Sequence, residues 1–504
     1  MPLARRVRGL AERARSVYAG DAVAAAEIDA LVARLDEPLR VAIAGRVKSG
    51  KSTLVNALVG EPLAPTDESQ CTQAVTWYRH GRTYAAFIQR RGSARLERVG
   101  LRRLAAAVDV EPGDWTASDL ERIVIEWPAA ALESLTLIDT PGLGSLTPEV
   151  GERTAAYLVP ETESSPADAV VYVARHLHGA DLRLLEAFRD DDAGAANPIH
   201  TIGVVSRADE VGVARVDAMA AAARVAERYR SDPQLRRLCQ TVVPVAGLLA
   251  LGASQLAEAD FRALVLLAGM EERAAADLLL SADRFTAPGA VADVTVDERR
   301  RLLGLIGLFG VRVSAALLRQ GAVSTSQELA LELRGRSGID AFRTLLSTQL
   351  AARSDVLKAR VALTVLRDVT RRFPPGDGGS LVAELERVEA DAHELAELRL
   401  LVALRTRGAE LRDEETAEVQ RLLERSGMRV PDRLGLEGGM PDVDVRAVVQ
   451  RRIEHWRRRA EHPFAPRSTL DAALIVLRSY EGMLLELPSD PTARTATERS
   501  CPSP

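Results

Sequence analysis

VAIAGRVKSGKS, residues Val41 to Ser52, decides how the rest of the chain reads. Val41–Ala44 is an aliphatic run without polar alternation, the pattern of a strand buried on both faces. The next eight residues, Gly45 to Ser52, spell G-x-x-x-x-G-K-S, and the helical TLVNALVG follows at once. Strand, glycine-bounded loop and helix in that order make a phosphate cradle. The glycines let backbone N–H groups close on oxygens, and the helix N-terminus adds the positive end of its dipole. Gly45, Arg46, Val47, Lys48, Ser49, Gly50, Lys51, Ser52 and Thr53 are therefore the candidate nucleotide-binding loop. Lys51 is placed to reach the β- and γ-phosphates as a catalytic cation, and Ser52 to ligate Mg²⁺. Lysine usage strengthens the match: of 66 Lys and Arg only Lys48, Lys51 and Lys358 are lysine, and two of the three stand in this loop.

Downstream, LIDTPG (Leu137–Gly142) ends a second apolar run on an acid. Asp139 at that strand tip is expected to hold Mg²⁺ through water, and the Gly142 N–H to meet the γ-phosphate. Between the two motifs lies PLAPTDESQCTQAVTWYRHG (Pro62–Gly81), whose polar first half reads as a switch segment. Thr72 is the candidate to close over Mg²⁺ and the γ-phosphate, with Thr66 as its rival. IGVVSRADE (Ile202–Glu210) is the base-reading candidate. A carboxylate at Asp209 accepts from guanine N1–H and N2–H₂, donors that adenine lacks, so the site discriminates by what it would leave unpaired. Ser206 and Arg207 depart from the usual (N/T)KxD, with Arg207 placed to lay its stem along the base. In Val245-Ala246-Gly247 the Ala246 N–H is the candidate partner of guanine O6. Leu143 stands where a catalytic glutamine would sit in Ras-like GTPases, so Lys48 is the candidate charge stabiliser for the transition state; an exposed, idle lysine is the plain alternative.

Composition bounds the remaining choices. The 504 residues suggest about three structural units. Charged residues at 27% and hydrophobic ones at 47% are an ordinary globular balance, and a net charge of −5 argues against a dedicated nucleic-acid binder. Cys71, Cys239 and Cys501 form no CxxC, which fits neither a disulfide framework nor a zinc ribbon and points to a reducing cytoplasm. The longest apolar stretch, Leu302–Leu318, contains Arg312 and falls short of the roughly 20 residues of a membrane span.

The expected architecture is an α/β nucleotide-binding domain, a mostly parallel sheet flanked by helices, followed by an elongated all-helical region. Strands are expected at Val41–Ala44, Ala74–Arg79, Tyr84–Gln89, Ile123–Glu126, Leu135–Ile138, Ala169–Ala174, Thr201–Val205 and Thr241–Val245. One helix is expected over residues 4–35. Another, over Ile339–Arg372, puts Phe342, Leu346, Leu350, Leu357, Val361, Val365 and Val369 on one stripe, roughly 50 Å long at ~1.5 Å per residue. Further helices are expected at 382–403, 413–425, 443–460 and 468–485. The implied divisions are 1–36, a GTPase core at 37–250, a helical extension at 251–338, a helical neck and trunk at 339–487, and a Ser/Pro/Thr tail at 488–504 without fixed structure.

GRVKSGKSTLVNALVG, CTQAVTWYRHG, LIDTPG and SRADEVG, ahead of a long helical region, resemble the bacterial dynamin-like GTPases, in particular the isoniazid-inducible group of actinobacteria. VVPVAGLLAL, GLFGVRVS and EHWRRRAEHP extend the likeness along almost the whole chain. The resemblance implies a Mg²⁺-dependent GTPase head that binds GTP and GDP and dimerises with GTP bound, alone or with a paralogous partner. It also implies a helical neck and trunk that binds and remodels membrane from the cytoplasmic face. Lys51, Ser52, Thr72, Asp139 and Asp209 match its nucleotide and Mg²⁺ positions, whereas Lys48 stands where eukaryotic dynamins carry a serine.

The membrane-contacting end is expected in Gly427–Pro441, where Val430, Leu434, Leu436 and Met440 lie among Gly, Pro and Asp; a plain connecting loop is the alternative. LLGLIGLFGV (Leu302–Val311) reads as a buried helix pair. RRIEHWRRR (Arg451–Arg459) reads as a bundle helix with Val445, Val449, Ile453 and Trp456 inward, against an anionic-lipid contact. The competing function is a GTP-dependent switch that docks protein partners without deforming lipid. An RNA-associated GTPase is disfavoured because no basic accessory domain is visible.

Overall fold

The structure, a computed structural model, describes residues 3–65, 74–93, 95–103, 108–111, 115–116, 118–142, 166–177, 181–182, 185, 201–289, 293–376, 379–405, 411–424, 429–436 and 442–487. Thr66, Thr72, Leu143, Met440 and the 488–504 tail lie outside these residues. The chain forms two units. One takes the described parts of 37–189 and 200–351, the other those of 1–36 and 352–487.

In the first unit the apolar runs become the strands β1 (Leu39–Ala44), β2 (Thr76–His80), β3 (Ala85–Arg90), β7 (Leu120–Trp127), β8 (Leu135–Asp139), β9 (Ala169–Ala174), β10 (Thr201–Ser206) and β11 (Thr241–Val245). Three further short strands, β4 (Leu96–Val99), β5 (Leu101–Arg103) and β6 (Val108–Val110), were not expected. Their few residues include Glu97, Arg98, Arg102 and Arg103, which carry no apolar run to read. Among the described residues a nine-stranded sheet has the order β11-β10-β9-β1-β8-β2-β7-β3-β4, and β5 pairs with β6 apart from it. Strands β8 to β11 and β1 run parallel, whereas β2 turns antiparallel to β8 and β3 antiparallel to both its neighbours. Every residue of β8, β9 and β10 is buried, which is why those strands read as unbroken hydrophobic runs.

A second core in the same unit gathers the helices Gly247–Ser254, Glu258–Ala268, Val296–Arg319 and Ser326–Arg336. The Val296–Arg319 helix opens with a capping box, Thr295 Oγ1 accepting from Glu298 N and the Glu298 carboxylate accepting from Thr295 N. By length and apolar composition it is long enough to cross a membrane. Its Leu302, Ile306, Phe309, Val311, Val313 and Leu317 are instead buried in this unit's core, as the buried-pair reading has it. The pair is one helix broken at Gly307 (φ 67, ψ 174).

In the second unit, two helices replace the single one expected over 4–35: Leu3–Val17 and Ala22–Asp36. Asp21 Oδ1 accepts from the N–H groups of Val23 and Ala24 and starts the second helix afresh. Both bury apolar stripes in a core shared with Ser354–Arg372, Ser380–Asp391, His393–Arg405, Asp413–Glu424, Asp442–Ala460 and Arg467–Glu486. The expected helix 339–372 is also interrupted. Ile339–Leu345 runs into a π-helical turn at Leu346–Leu350 and a 3₁₀ turn at Ala351–Arg353 before α-helix resumes at Ser354. Arg353 is 3% exposed, and its guanidinium donates to the Leu423 carbonyl. Likewise 382–403 divides at Ala392, whose ψ of 91 leaves the helical region.

The expected membrane-contacting loop is contradicted for three of its four apolar residues. Val430 is buried, and Leu434 and Leu436 pack against the unit's core. The short helix Val430–Leu434, with Pro431 in its first turn, turns them inward. Val445, Val449, Ile453 and Trp456 are all buried, so Arg451–Arg459 is a bundle helix.

Candidate nucleotide site

Parallel pairing aligns the tips of β1 and β8, with Ile43 opposite Asp139, and those of β1 and β9, with Ala44 opposite Tyr172. The loop leaving β1 therefore lies at the carboxyl edge of the sheet, the usual ligand crevice of an open α/β fold. Gly45 has φ 151, and an ideal Cβ there would stand 2.2 Å from the Val173 carbonyl oxygen, so only glycine fits. Lys48 (φ 61) and Gly50 (φ 94) also take left-handed backbone as the loop curls into the helix Lys51–Val59. Val47 and Gly142 meet closely: a Cβ on Gly142 would lie 2.6 Å from Val47 Cγ2 and 2.7 Å from its Cα. The loop after β8 and the loop after β1 thus touch backbone to backbone.

Lys51 is buried, and its Nζ donates to the carbonyls of Gly45 and Arg46, each at 3.2 Å. Burial pulls its pKa down, opposed by the charge of Asp139. Ser52 Oγ donates to Asp139 Oδ2 at 3.0 Å, while Asp139 Oδ1 is buried with no partner. Burial raises the Asp139 pKa to about 6 against the pull of Lys51 and the Ser52 hydrogen bond. A buried, half-satisfied carboxylate beside a hydroxyl is a donor set that a hard divalent cation fits, since both ligands are oxygen, while the neighbouring Lys51 ammonium can only meet an anion. Ser52 would hold Mg²⁺ directly and Asp139 through water. Lys48 is exposed, at the outer turn of the loop.

At the other end, Asp209 sits in the 3₁₀ turn Ala208–Glu210 after β10 and is 5% exposed; burial raises its pKa to about 6. Arg207 holds left-handed backbone (φ 49), and its guanidinium pairs with Glu210 at 3.0 Å. Ser206 Oγ is buried without a partner next to Gly50. A cavity of about 360 Å³, lined among others by Gly50, Thr53, Ser206, Asp209, Leu248 and Leu305, joins the loop to this carboxylate. That is within the range of small-molecule pockets, roughly 300–1,000 Å³. The Ala246 N–H donates to the Ser337 carbonyl at 2.9 Å, so it is engaged here rather than directed at a base.

Two contributors carried no motif. Asn56, fully buried on the loop's helix, donates to the Ala64 carbonyl and accepts from the Leu63 and Ala64 N–H groups, anchoring the segment that leads toward 66–73. A buried Asn at helical spacing from Ser52 was the one signal available. Gly304 and Leu305 also line the cavity, from a helix about a hundred residues beyond the base-reading motif.

A glycine loop at the carboxyl edge of the sheet, the Ser52–Asp139 pair at the start of its helix, and a buried Asp209 in the cavity that Gly50 and Thr53 also line match the parts of a P-loop GTPase, and the dynamin family model matches residues 41–204. The chain is 40% identical over 460 residues, 91% of its length and 92% of the relative's, to isoniazid-induced protein IniC of Mycobacterium tuberculosis. Shorter stretches match a bacterial dynamin-like protein of Nostoc punctiforme (27% over 114 residues; 21% of this chain, 16% of that one) and dynamin-like protein 2 of Campylobacter jejuni (31% over 119 residues; 24% and 19%). A solved structure of an oligomerised bacterial dynamin pair aligns over 99% of this chain and 76% of its own at a TM-score of 0.34 and 12% identity, too loose a likeness to bear on function. This chain belongs to the dynamin family, and its reaction class is GTP hydrolysis.

Proposed function

We propose that the chain binds Mg²⁺·GTP in this cavity and couples its hydrolysis to dimerisation of the 37–351 unit and to membrane binding and remodelling. The observation that carries the nucleotide half is the buried, unpartnered Asp139 Oδ1 beside Ser52 and Lys51. An acid left half-satisfied at such cost is kept for a ligand, here the metal's water shell. Bound Mg²⁺ neutralises charge on the β- and γ-oxygens. Lys51 grips those oxygens, Asp209 accepts from guanine N1–H and N2–H₂, and Ser206 Oγ is available to the loop or the base. Lys48 meets the charge that develops on the γ-phosphate, and dimerisation orders it. Thr72 closes over the metal, with Thr66 the competing choice. On this reading the protein works from the cytoplasm, peripherally on the inner face of the plasma membrane.

Membrane contact is supported by one apolar tip. Phe464, in the turn between Asp442–Ala460 and Arg467–Glu486, is 89% exposed, and Arg457, Arg458 and Arg467 in the flanking helices are exposed too. An exposed aromatic with arginines nearby in the sequence suits the interface of an anionic bilayer. The burial of Val430 favours the second reading, a switch that docks protein partners. The deciding measurement is GTP turnover against protein concentration, with and without anionic liposomes. Specific activity that rises with concentration and with lipid is expected; turnover indifferent to both leaves only the switch.

A further inference from the structure

We propose that the break at Gly307 in the helix Val296–Arg319 is a specificity element of the nucleotide site: Gly304 and Leu305 form the wall against which the purine lies, and the glycine-only backbone at 307 sets the path of the chain past Asp209, where that carboxylate meets the base. The proposal rests on the guanine reading above and goes beyond it, because residues 304–307 belong to none of the nucleotide motifs.

Gly307 lies at φ 67, ψ 174, a region essentially reserved for glycine. An ideal Cβ on it would stand 3.5 Å from Asp209 Oδ2 and 3.7 Å from Leu248 Cδ2. The break is not fraying, because Leu302, Ile306, Phe309 and Val311 around it are each at most 2% exposed. It is also clamped. A Cβ on Gly252 would fall 1.9 Å from the Leu305 carbonyl oxygen, so the two helix backbones meet there, and Leu305 is held half-buried in the cavity wall. Sharp kinks need a named cause, and here it is a glycine placed where the helix passes the acid.

Asp209 must present both oxygens to N1–H and N2–H₂ together. A methyl group at 307 would stand in ordinary contact with Oδ2, but the backbone would have to leave the observed φ and ψ and shift the chain that runs beside this carboxylate. The damage falls on base reading rather than on the phosphate grip. Inosine triphosphate, which lacks the 2-amino group, isolates that contact, because it is guanosine triphosphate less one donor.

The test is calorimetric titration of the full chain with GTP and ITP. Wild type is expected to prefer GTP by about 10- to 100-fold, the worth of one hydrogen bond to a charged group. Gly307→Ala is expected to weaken GTP and narrow that ratio to within about threefold, with ITP little changed. Leu305→Ala, on a half-buried residue that unfolding does not threaten, is expected to weaken both nucleotides together by about 3- to 10-fold with the ratio kept. Gly335→Ala, on a helix with open space around its Cα, is expected to change neither. A Gly307→Ala protein with the wild-type ratio, or a Leu305→Ala protein with both affinities intact, overturns the proposal and leaves the guanine reading standing. If Gly307→Ala does not fold, Leu305→Ala decides. A wild type that binds no GTP, or binds GTP and ITP equally, overturns the guanine reading itself.

Discussion

Replacing Asp209 with asparagine should stabilise the nucleotide-free protein while abolishing its purpose. The carboxylate is buried and its pKa is raised to about 6 by that burial, about two units above an ordinary aspartate. At roughly 1.4 kcal/mol per unit, holding the charge in place costs about 3 kcal/mol at neutral pH. A neutral amide of the same shape escapes most of that cost, so Asp209→Asn should gain about 1–3 kcal/mol. For a unit of about 300 residues this is a rise in Tm of roughly 2–5 °C. The sign follows from proton binding. Between the ordinary pKa and about 6 the folded state binds more protons than the unfolded one, so wild-type stability falls as pH rises through that window. The advantage of the variant should therefore be full at pH 7.5 and shrink toward pH 4. GTP affinity should move the other way. The amide turns one acceptor into a donor facing guanine's donors, a loss of at least about 100-fold if each charged hydrogen bond is worth about 1.5–3 kcal/mol. Differential scanning fluorimetry across pH reads the first effect and isothermal calorimetry the second. A variant with a lower Tm at pH 7.5, or with GTP affinity within about threefold of wild type, refutes the assignment of Asp209.

Gly45→Ala should destabilise the chain by about 2–4 kcal/mol, since its Cβ would fall on the Val173 carbonyl oxygen; a wild-type melting temperature would contradict the tight loop geometry. Lys48→Ala should lower steady-state GTP turnover about tenfold or more while leaving the calorimetric Kd within about threefold, and equal turnover disposes of Lys48 as a charge stabiliser. Phe464→Asp, at a position with little to unpack, should keep the wild-type Tm and lower co-sedimentation with anionic vesicles at least about threefold. Undiminished co-sedimentation would remove Phe464 from the membrane surface.

Much of the head was legible because its signals are local. Ala169–Ala174 and Thr241–Val245 were placed to the residue, the first because a strand buried on both faces is written as an uninterrupted apolar run, the second, a half-buried edge strand, because its valines stand out between polar neighbours. The loop from Gly45 to Ser52 was legible for a similar reason: a backbone that turns through positive φ at 45 and 50 demands glycine there. What stayed hidden depends on distant partners. Nothing in LLGLIGLFGV says that its middle glycine faces Asp209, because that contact exists only once two helices have packed. The π-helical turn at Leu346–Leu350 was equally invisible, since its leucines keep helical spacing while the backbone does not. Apolar residues among Gly and Pro suggested an exposed tip at Val430–Leu436, yet a five-residue helix folds them inward. Phe464, a single aromatic in a short turn, gave no pattern at all.

The helical unit is assembled from two distant stretches of the chain, with apolar residues of Leu3–Val17 and Ala22–Asp36, such as Leu3, Val7, Leu10 and Ile28, buried in a core otherwise supplied by residues after 352. During synthesis those first helices emerge long before their companions. At ~5–20 residues per second the interval is roughly 15–60 s, far longer than a helix needs to form. Until the residues after 352 are made, the apolar stripes of Leu3–Val17 and Ala22–Asp36 lack the partners that bury them in the folded unit, so this core closes only when the later helices arrive.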